Sequence, residues 1–350
     1  MFGAIDAQKH QSPLPRGCTF QATDWQILAG FWHPVLYSHE VSDKPVRARL
    51  LDVELVVFRT EEGIAVARDL CPHRGTRLSQ GRVVGKNLIC PMHGLHFAAN
   101  GACTRIPSMG EQQRIPPKMR LQSCQVTERY GLVWACLSPT PIHPLPEWEG
   151  LGDAALKKLF LPSDVWQAAA SRHVENFNDL AHFPWVHEGS FGGNKAAPVP
   201  PHDVEKTAFG LRFQVQYREG ANRFQDGVEG GERDVTYIYE LTYPFATLLI
   251  MLPDGTDKRY YLADVVCPES SHVSRIFQIM SDTAGMPHPE YWLKDQSFIN
   301  DEDKPMVEEQ KPEDLPLDLT AEMHIPADRV SLAYRRGLVD RFGLGAPVAS

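Results

Sequence analysis

The sequence predicts an α+β protein in which an all-β domain is followed by a domain that combines an antiparallel sheet with helices. Short β-branched and apolar runs, separated by Gly, Asp and Asn turns, fill the first third of the chain. Longer strand-like runs and then helical segments fill the remainder. Because strands and helices do not alternate regularly, a parallel α/β fold is not favoured.

The predicted elements divide the chain into four parts. Residues 1–24 form an N-terminal extension and residues 25–137 form the all-β domain. Residues 138–150 contain four prolines, which prevent a continuous strand or helix and indicate a linker. Residues 151–350 form the second domain. Strands are predicted at 50–60, 63–70, 86–90 and 130–137, then at 210–217, 234–243, 259–267 and 274–280, a loop at 219–234, and helices near 171–183, 290–310 and 326–342.

The composition excludes several classes of protein. The 350 residues are 43% hydrophobic and 23% charged, which is enough apolar material for two cores. With a net charge of −9 and no visible basic face, nucleic acid is not expected as a partner. No signal peptide is recognised, and the longest apolar run, 247–252, is too short to cross a membrane. We therefore expect a cytoplasmic protein without membrane association.

The seven cysteines do not form the pattern of a disulfide framework, because their number is odd and their positions are scattered. Only two of them, Cys71 and Cys90, have a histidine at ligand spacing. The others are expected to be small, buried apolar groups. These are Cys18, Cys103, Cys124, Cys136 and Cys267.

Two compact Cys/His pairs indicate a metal site. "CPHRG" contains Cys71 and His73, and "CPMHG" contains Cys90 and His93; each pair lies at the end of a predicted strand and just before a glycine. Structural zinc uses the same ligand types, but its paired ligands are usually separated by about two to five residues. A 2Fe–2S cluster with two thiolates on one iron and two imidazoles on the other needs one Cys and one His from each loop.

The two boxes, separated by 14 residues, resemble the Rieske ligand pattern. The resemblance implies that Cys71 and Cys90 bind one iron of a Rieske 2Fe–2S cluster, and that His73 and His93 bind the other.

The second box departs from the common form Cys-Pro-Tyr-His-Gly-Trp. Met92 and Leu95 replace its two aromatic residues. Neither position supplies a ligand, so cluster binding is expected to survive while the packing around the cluster differs.

A second motif lies at 175–187, "ENFNDLAHFPWVH". If this segment is helical, Asp179 and His182 share a face, and Pro184 interrupts the helix so that His187 can turn back toward His182. Two histidines and one carboxylate on one face of an iron form the facial triad of non-haem Fe(II) oxygenases. The alternative is a helix terminus with solvated or capping histidines.

The spacing Asp-x-x-His-x-x-x-x-His resembles the mononuclear iron motif of Rieske non-haem iron oxygenases, and the resemblance covers both domains in the family's order. It implies a START-like (helix-grip) catalytic domain in which His182 and His187 bind Fe(II). It also implies that Asp179 bridges His182 and His93 of a neighbouring subunit. The assembly would be a head-to-tail homotrimer, because the two metal sites of one chain of this family lie too far apart for electron transfer.

The third iron ligand is expected to be an acidic residue further along the chain. "EDKPMVEEQ" (302–310) resembles the family segment in which an acidic residue and Asp-Lys precede a helix that carries Glu and Gln. This favours Asp303, with Asp301 as the next choice; the alternative role for Asp303 is a helix N-cap before Pro305. The remaining candidates are Asp295, Glu302 and Asp314.

No dinucleotide fingerprint is present, so electrons from NAD(P)H are expected to come from a separate flavin and iron–sulfur reductase, with or without a ferredoxin. "WHPV" (32–35) and "VVCPESSH" (265–272), together with 302–310, resemble the vanillate O-demethylase and methylxanthine N-demethylase branch. This implies that the chain uses O₂ to hydroxylate a methyl group of a small aromatic substrate, releasing formaldehyde. The alternatives are a ring-dihydroxylating dioxygenase and an electron carrier whose second domain only binds an apolar ligand.

Overall fold

The computed structural model describes residues 14–110, 114–220 and 232–346. The chain divides into two compact units between Pro144 and Leu145, and residues 138–150 contain no helix or strand. Most of the predicted N-terminal extension, and most of the loop predicted at 219–234, lie outside the described residues. No helix in the described ranges is both long and apolar enough to span a membrane.

Within the described residues, the first unit consists of short strands, one α-helix and short 3₁₀ helices. Its elements are α1 (Ala22–Leu28), β1 (His33–Tyr37), β2 (Val46–Leu50), β3 (Val53–Thr60), β4 (Gly63–Arg68), β5 (Arg82–Val84), β6 (Asn87–Ile89), β7 (His96–Ala98), β8 (Cys103–Arg105), β9 (Gln125–Arg129) and β10 (Leu132–Cys136).

These strands form three antiparallel sheets, with the orders β1-β10-β9, β2-β3-β4 and β5-β6-β7-β8. Apolar side chains from two of the sheets, among them Val56, Phe58, Leu88 and Phe97, share one buried core. Phe58 and Phe97 are fully buried. Because this core lies beneath the ends of β4 and β6, it provides a rigid base for the loops that follow those strands.

In the part of the second unit that the structure describes, an eight-stranded antiparallel sheet is combined with four helices. Its elements are β11 (Lys158–Phe160), β12 (Asp164–Trp166), α2 (Ala170–Phe177), α3 (Phe183–Val186), β13 (Val204–Lys206), β14 (Gly210–Glu219), β15 (Arg233–Thr242), β16 (Ala246–Pro253), β17 (Tyr260–Ser270), β18 (Val273–Asp282), α4 (Pro289–Glu308) and α5 (Arg329–Phe342).

The sheet order is β11-β18-β17-β16-β15-β14-β13, and β12 also pairs with β18. In β14 and β15 buried and less buried residues alternate, as expected when one face of a strand packs on a core. In β16, β17 and β18 nearly every residue is buried, because both faces of the sheet centre are covered. α2 packs on β17 and α4, and α5 packs on β13, β14 and α2.

The register of the strands brings four side chains into one row across the sheet. Tyr239 pairs with Leu249, Leu249 with Leu262, and Leu262 with Met280. On the other side of Tyr239 the paired ring of Phe213 is stacked on it, with ring centroids 4.5 Å apart. An aromatic pair of this kind adds about 0.5–1.5 kcal/mol beyond the area it buries. The row forms part of the floor of the cavity described below.

The predicted α+β class is confirmed, but the prediction of one helix is wrong. The helix expected near 171–183 ends at Phe177, and a separate short helix begins at Phe183. Several short strands were not predicted, and neither was the longer β16, because its uninterrupted apolar run has no alternation that identifies a strand.

The prediction of buried cysteines is only partly correct. All seven cysteines lie within the described ranges, and none of them forms a disulfide. Cys136 and Cys267 are buried, whereas Cys18, Cys103 and Cys124 are partly exposed.

His33, the first residue of β1, predicts a pH dependence of stability. Its side chain is fully buried, and its Nε2 atom lies 2.9 Å from the carbonyl oxygen of Leu28. Burial lowers the pKa of His33 to about 4, more than the hydrogen bond to Leu28 raises it. The unfolded chain therefore binds more protons than the folded chain between about pH 4 and 6.5, so acidification through this window should favour unfolding.

We expect this residue to contribute up to about 3 kcal/mol to the loss of unfolding free energy between pH 7 and pH 4. Urea unfolding followed by tryptophan fluorescence should show a shallower pH dependence in His33→Asn than in the parent chain. His39→Asn, which removes an exposed histidine of the same unit, is the control and should retain the parent slope. Equal slopes for His33→Asn and the parent would contradict the assignment.

Candidate metal centres and active site

The first candidate site consists of two loops with the same backbone closure. In the loop after β4, the amide of Cys71 donates to Thr76 O (2.9 Å) and the amide of Gly75 donates to Cys71 O (2.9 Å). In the loop after β6, the amide of Cys90 donates to Leu95 O (2.9 Å), and Gly94 donates to Cys90 O (3.1 Å). Both glycines have positive φ, 72° and 66°, which explains why each box ends in glycine.

The loops bring all four predicted cluster ligands together, with the cysteines buried in the protein and the histidine rings at its surface. The side chains of Cys71 and Cys90 are buried, whereas those of His73 and His93 are exposed. The two imidazole centroids lie 4.6 Å apart. Burial, followed by hydrogen bonding to the adjacent Cys90 thiol, raises the pKa of Cys71 to about 11. Two adjacent thiols and two adjacent imidazoles are the donor set that a Rieske cluster requires, because metal binding displaces the thiol protons into solvent and leaves thiolate ligands.

The two residues that replace aromatics in the second box occupy different environments. Leu95 is 2% exposed and belongs to the core beneath the loops. Met92 is 57% exposed, and its sulfur accepts a hydrogen bond of 2.9 Å from the Thr76 hydroxyl of the other loop. Leu95 therefore fills the core position, while Met92 provides a weak polar link between the loops.

The second candidate site is built around the break between α2 and α3. Asp179 and His182 lie in this break and not on one helix face, so the predicted reason for their proximity is wrong. Asp179 instead accepts hydrogen bonds from the backbone amides of Ala181 (3.0 Å) and His182 (3.1 Å), which closes a tight turn. Pro184 was expected to interrupt a helix. It lies instead in the first turn of α3, a position where proline is compatible with helix formation.

The side chains of His182, His187 and Asp303 converge, and one ligand atom from each lies within 4.8 Å of the other two. Asp303 Oδ1 is 3.4 Å from His182 Nε2 and 3.3 Å from His187 Nε2. Ligand atoms about 2.1 Å from a common ion lie roughly 3.0–3.5 Å from one another, so these separations suit a metal ion.

A second observation supports the fit. His182 Nε2 and Asp303 Oδ1 are buried and, among the described residues, have no hydrogen-bond partner. Buried polar atoms without a partner are rare, and their presence at these positions indicates that the three residues fit a cation. Two imidazoles and one carboxylate are the donor set of non-haem Fe(II) sites.

Each imidazole is also held from behind by a carboxylate. His182 Nδ1 lies 2.9 Å from Asp179 Oδ2, and His187 Nδ1 lies 2.9 Å from Glu302 Oε2. These contacts leave the Nε2 atoms of both rings facing Asp303. Such carboxylate partners orient metal-binding histidines and raise their basicity.

The mutual attraction of these groups shifts their pKa values. Burial would raise the pKa of Asp179, but hydrogen bonding to His182 lowers it below its usual value. Burial likewise opposes ionisation of Asp303, yet the two imidazoles hold its pKa far below the ordinary range. Burial would lower the pKa of His182, but Asp179 and Asp303 raise it to about 9. The site therefore favours a positive charge between the carboxylates.

Asp303 is inside α4, which begins at Pro289, so the N-cap alternative for it is wrong. Three other acidic residues that the sequence offered as ligands do not belong to the converging group. Asp301 is exposed, and Asp295 is buried but not part of the converging group. Asp314 is exposed and pairs with His272 at 3.0 Å.

A cavity lies beside the converging group. The row Tyr239, Leu249, Leu262 and Met280 contributes to it, and further apolar lining comes from Phe177, Phe183, Phe191, Tyr237, Met251 and Ile299. The ring of Phe191 is stacked on that of His187, with centroids 4.7 Å apart. Mostly apolar walls with a few polar groups are typical of sites for small molecules.

A chain of hydrogen-bonded amides, of which Gln278 and Gln296 are buried, forms the polar part of the cavity. Asp264 Oδ1 lies 2.9 Å from His173 Nε2, and Asp264 Oδ2 accepts a hydrogen bond of 2.8 Å from Gln278 Nε2. Gln278 Oε1 accepts from Asn300 Nδ2 (2.8 Å), and Asn300 Oδ1 accepts from Gln296 Nε2 (3.0 Å). Because a carboxylate only accepts, Asp264 fixes the orientation of Gln278 and, through it, of the next two amides.

Several of these features were not predicted from the sequence. Glu302 was considered only as a ligand, and its contact with His187 depends on a fold that joins residues 115 positions apart. The amides of Gln278, Gln296 and Asn300 lie on a strand and a helix, and no local motif distinguishes them from surface amides. Lining residues of this kind can be identified only when the register of the sheet is known.

Comparison with known proteins bears on both units. The Rieske [2Fe-2S] domain family matches residues 31–123, and the vanillate O-demethylase oxygenase C-terminal domain family matches residues 166–340, half of the chain. The methylxanthine N1-demethylase NdmA of Pseudomonas putida is 31% identical over 323 residues, which cover 89% of each chain. The chain belongs to the Rieske oxygenases.

This Rieske oxygenase also resembles solved members of the family. The structure of Pseudomonas putida CBB5 NdmA with caffeine superposes with a TM-score of 0.81 at 30% identity, covering 90% of this chain and 91% of that one. The vanillate O-demethylase oxygenase subunit of Pseudomonas sp. (strain HR199 / DSM 7063) is 30% identical over 184 residues, 48% of each chain. The predicted family is confirmed, and the chain is an oxidoreductase.

Proposed function

We propose that this Rieske oxygenase is the terminal component of a multicomponent demethylase. It would hydroxylate a methyl group bound to oxygen or nitrogen of a small aromatic substrate. The observation that carries the proposal is the convergence of His182, His187 and Asp303 on the edge of a largely apolar cavity. Relatives named as N- and O-demethylases support the reaction type.

In this proposal His182, His187 and Asp303 hold a mononuclear Fe(II), and the four residues of the paired loops hold a Rieske 2Fe–2S cluster. Those four are Cys71, His73, Cys90 and His93. The two metal groups would together supply the reduction of O₂ that inserts one oxygen atom into a C–H bond.

The remaining residues of the cavity would bind and orient the substrate. The apolar floor and the rings of Phe183 and Phe191 would exclude water and pack on an aromatic ring. The amides of Gln296 and Asn300 would hydrogen-bond to polar ring substituents, and this would direct one methyl group toward the triad. An amide-lined wall suits a ring that carries carbonyl or ring-nitrogen groups better than a plain hydrocarbon.

The chemistry of the methyl group explains the release of formaldehyde. Hydroxylation converts an O- or N-methyl group, one O₂, two electrons and two protons into an O- or N-hydroxymethyl group and water. The hydroxymethyl product is a hemiacetal or hemiaminal. Its C–O or C–N bond then breaks as the hydroxyl proton moves to the leaving heteroatom, giving formaldehyde and the demethylated ring.

The electron path follows from the same proposal. A separate flavin and iron–sulfur reductase, with or without a ferredoxin, would carry electrons from NAD(P)H to the cluster in the cytoplasm. His93 is exposed and Asp179 lies behind His182, so in a head-to-tail homotrimer His93 of one subunit would contact Asp179 of the next. Asp179 would then link the two metal-bound imidazoles.

Iron content tests the assignment of the mononuclear site. Anaerobically purified parent protein should contain three irons per chain, two in the cluster and one in the triad. His182→Ala should contain two and keep the visible spectrum of the cluster, because only the triad loses a ligand. Asp301→Ala, which removes an exposed acid two residues before Asp303, should keep three. Two irons in the parent would instead support the electron-carrier alternative.

The role of Asp179 is tested by electron transfer. In Asp179→Asn the iron content and cluster spectrum should stay largely intact, while re-oxidation of the reduced cluster by O₂ with substrate present should slow by about 10–100-fold. Stopped-flow absorbance measures this rate. Glu188→Gln, which neutralises an exposed acid of the same segment, should re-oxidise at the parent rate. A parent-like rate in Asp179→Asn would exclude the bridging role.

The reaction type is tested by product analysis. The protein is incubated with a flavin and iron–sulfur reductase, NADH and one substrate at a time. Formaldehyde should be released from one of two substrate classes, either methoxybenzoates such as vanillate or N-methylated heterocycles such as methylxanthines. Formaldehyde should equal the substrate consumed, since each hydroxylation releases one methyl group. A cis-diol without formaldehyde would instead identify a ring-dihydroxylating dioxygenase.

A further inference from the structure

Glu302 is a partly buried carboxylate in contact with one of the converging histidines. Its Oε2 atom lies 2.9 Å from His187 Nδ1 and accepts a hydrogen bond of 2.8 Å from the hydroxyl of Ser190. Its side chain is 15% exposed and that of His187 is 1% exposed. A Cβ atom at Gly189 would lie 2.9 Å from Glu302 Oε1, so the backbone passes close to the carboxylate. Glu302 therefore occupies a tightly enclosed position and not a loose surface one.

The contact has a geometric consequence for the ring of His187. An ionised carboxylate only accepts hydrogen bonds, so the proton of a neutral His187 ring resides on Nδ1. The lone pair of Nε2 then points to the side of Asp303, whose Oδ1 atom is 3.3 Å away. Glu302 thus selects the tautomer of His187 that can bind a metal through Nε2.

Glu302 and Asp303 act on the two nitrogens of the same ring from consecutive helix positions. Side chains of consecutive residues on an α-helix point about 100° apart, which allows one to reach Nδ1 and the other to approach Nε2. The next residue, Lys304, fixes this turn of α4, because its Nζ lies 3.0 Å from Asp164 Oδ2 and 2.9 Å from Val165 O. The position of the carboxylate pair is therefore set by the fold.

The relation between Glu302 and His187 differs from that between Asp179 and His182. Asp179 is three residues from its histidine and also accepts backbone hydrogen bonds of its own turn. Glu302 is 115 residues from its histidine. Its contact joins the helix that carries Asp303 to the segment that carries His187.

We propose that Glu302 is a positioning residue of the mononuclear metal site, which fixes the tautomer and orientation of His187 and thereby sets the affinity for Fe(II). This rests on the proposed function, because it presupposes that His187 binds the metal. Glu302 does not touch the metal or the substrate in this arrangement; it acts through the imidazole. Ser190 supports it by orienting the carboxylate.

The test measures ferrous-ion binding and does not depend on turnover. The mononuclear iron is removed anaerobically with a chelator, and Fe(II) is returned in competition with a chromogenic chelator to obtain Kd. Glu302→Ala should bind Fe(II) about 10–100-fold more weakly than the parent. Glu302→Gln, which keeps an oxygen acceptor but loses the charge, should show a smaller loss of at least threefold. Ser190→Ala should weaken binding less than Glu302→Ala, and Asp301→Ala should not change it.

A spectroscopic measurement separates positioning from general destabilisation. Addition of nitric oxide gives the ferrous ion an EPR signal whose shape reports the ligand geometry, and the oxidised cluster does not contribute to it. This shape should change in Glu302→Ala and return toward the parent in Glu302→Gln, while the visible spectrum of the cluster stays the same. If Glu302→Ala does not fold, Glu302→Gln decides by its Kd and EPR shape.

The outcomes distinguish this inference from the proposed function. A Kd within twofold of the parent and a parent EPR shape in the folded Glu302 variants would overturn the role of Glu302 alone. A lower melting temperature with unchanged Kd would assign the residue a structural role and also overturn it. Failure of the parent chain to bind any ferrous ion beyond the cluster would overturn the proposed function, and the role of Glu302 with it.

Discussion

The attachment of one turn of α4 to the segment after α2 is the contact on which the candidate active site depends. Glu302 reaches His187, Asp303 lies between both histidines, and Lys304 binds Asp164 and the backbone of Val165. A shift of this turn would move all three contacts together. The geometry of the site is therefore coupled to the docking of a long helix on the sheet and cannot be set by the short motif around the histidines.

The contact between α4 and the histidines also concentrates negative charge at the site. Asp179, Glu302 and Asp303 place three carboxylates around two imidazoles in a partly desolvated region. Concentrating negative charge in such a region is unfavourable unless cations compensate it. Asp179 and Asp303 raise the pKa of His182 to about 9, so these carboxylates favour a proton on His182 as part of this compensation. A divalent ion would replace that proton and neutralise more of the negative charge. The surrounding carboxylates therefore favour a cation at this site, in addition to the three ligand atoms that would bind it.

The sequence was informative where chemistry depends on local spacing, and less so where it depends on register. The Cys-x-His and Cys-x-x-His boxes could be recognised because each is one closed loop, with the glycine that its positive φ requires. The pair His182 and His187 was recognised from spacing, although the predicted helix through Asp179 was wrong. The local pattern predicted a helix that is too long. The Asp179 side chain accepts hydrogen bonds from the following backbone amides, which stabilises a turn in place of the helix. Glu302 and the amides of the cavity could not be identified, since their neighbours come from distant parts of the chain.

Buried ion pairs show how the fold determines position near the site. Arg335 binds both carboxylate oxygens of Glu175 at 2.7 and 2.8 Å, and Glu322 binds Arg335 and Arg172 at 2.7 and 2.8 Å. Removing such charges from water offsets much of their attraction, so the network is weak evidence for stability. Each bond is directional, however, and the network ties α2 to α5 and to the loop that contains Glu322. Because α2 ends just before the Asp179 turn, a slip of this helix would displace His182. The network is therefore better understood as fixing the position of His182, a proposed metal ligand, than as stabilising the fold.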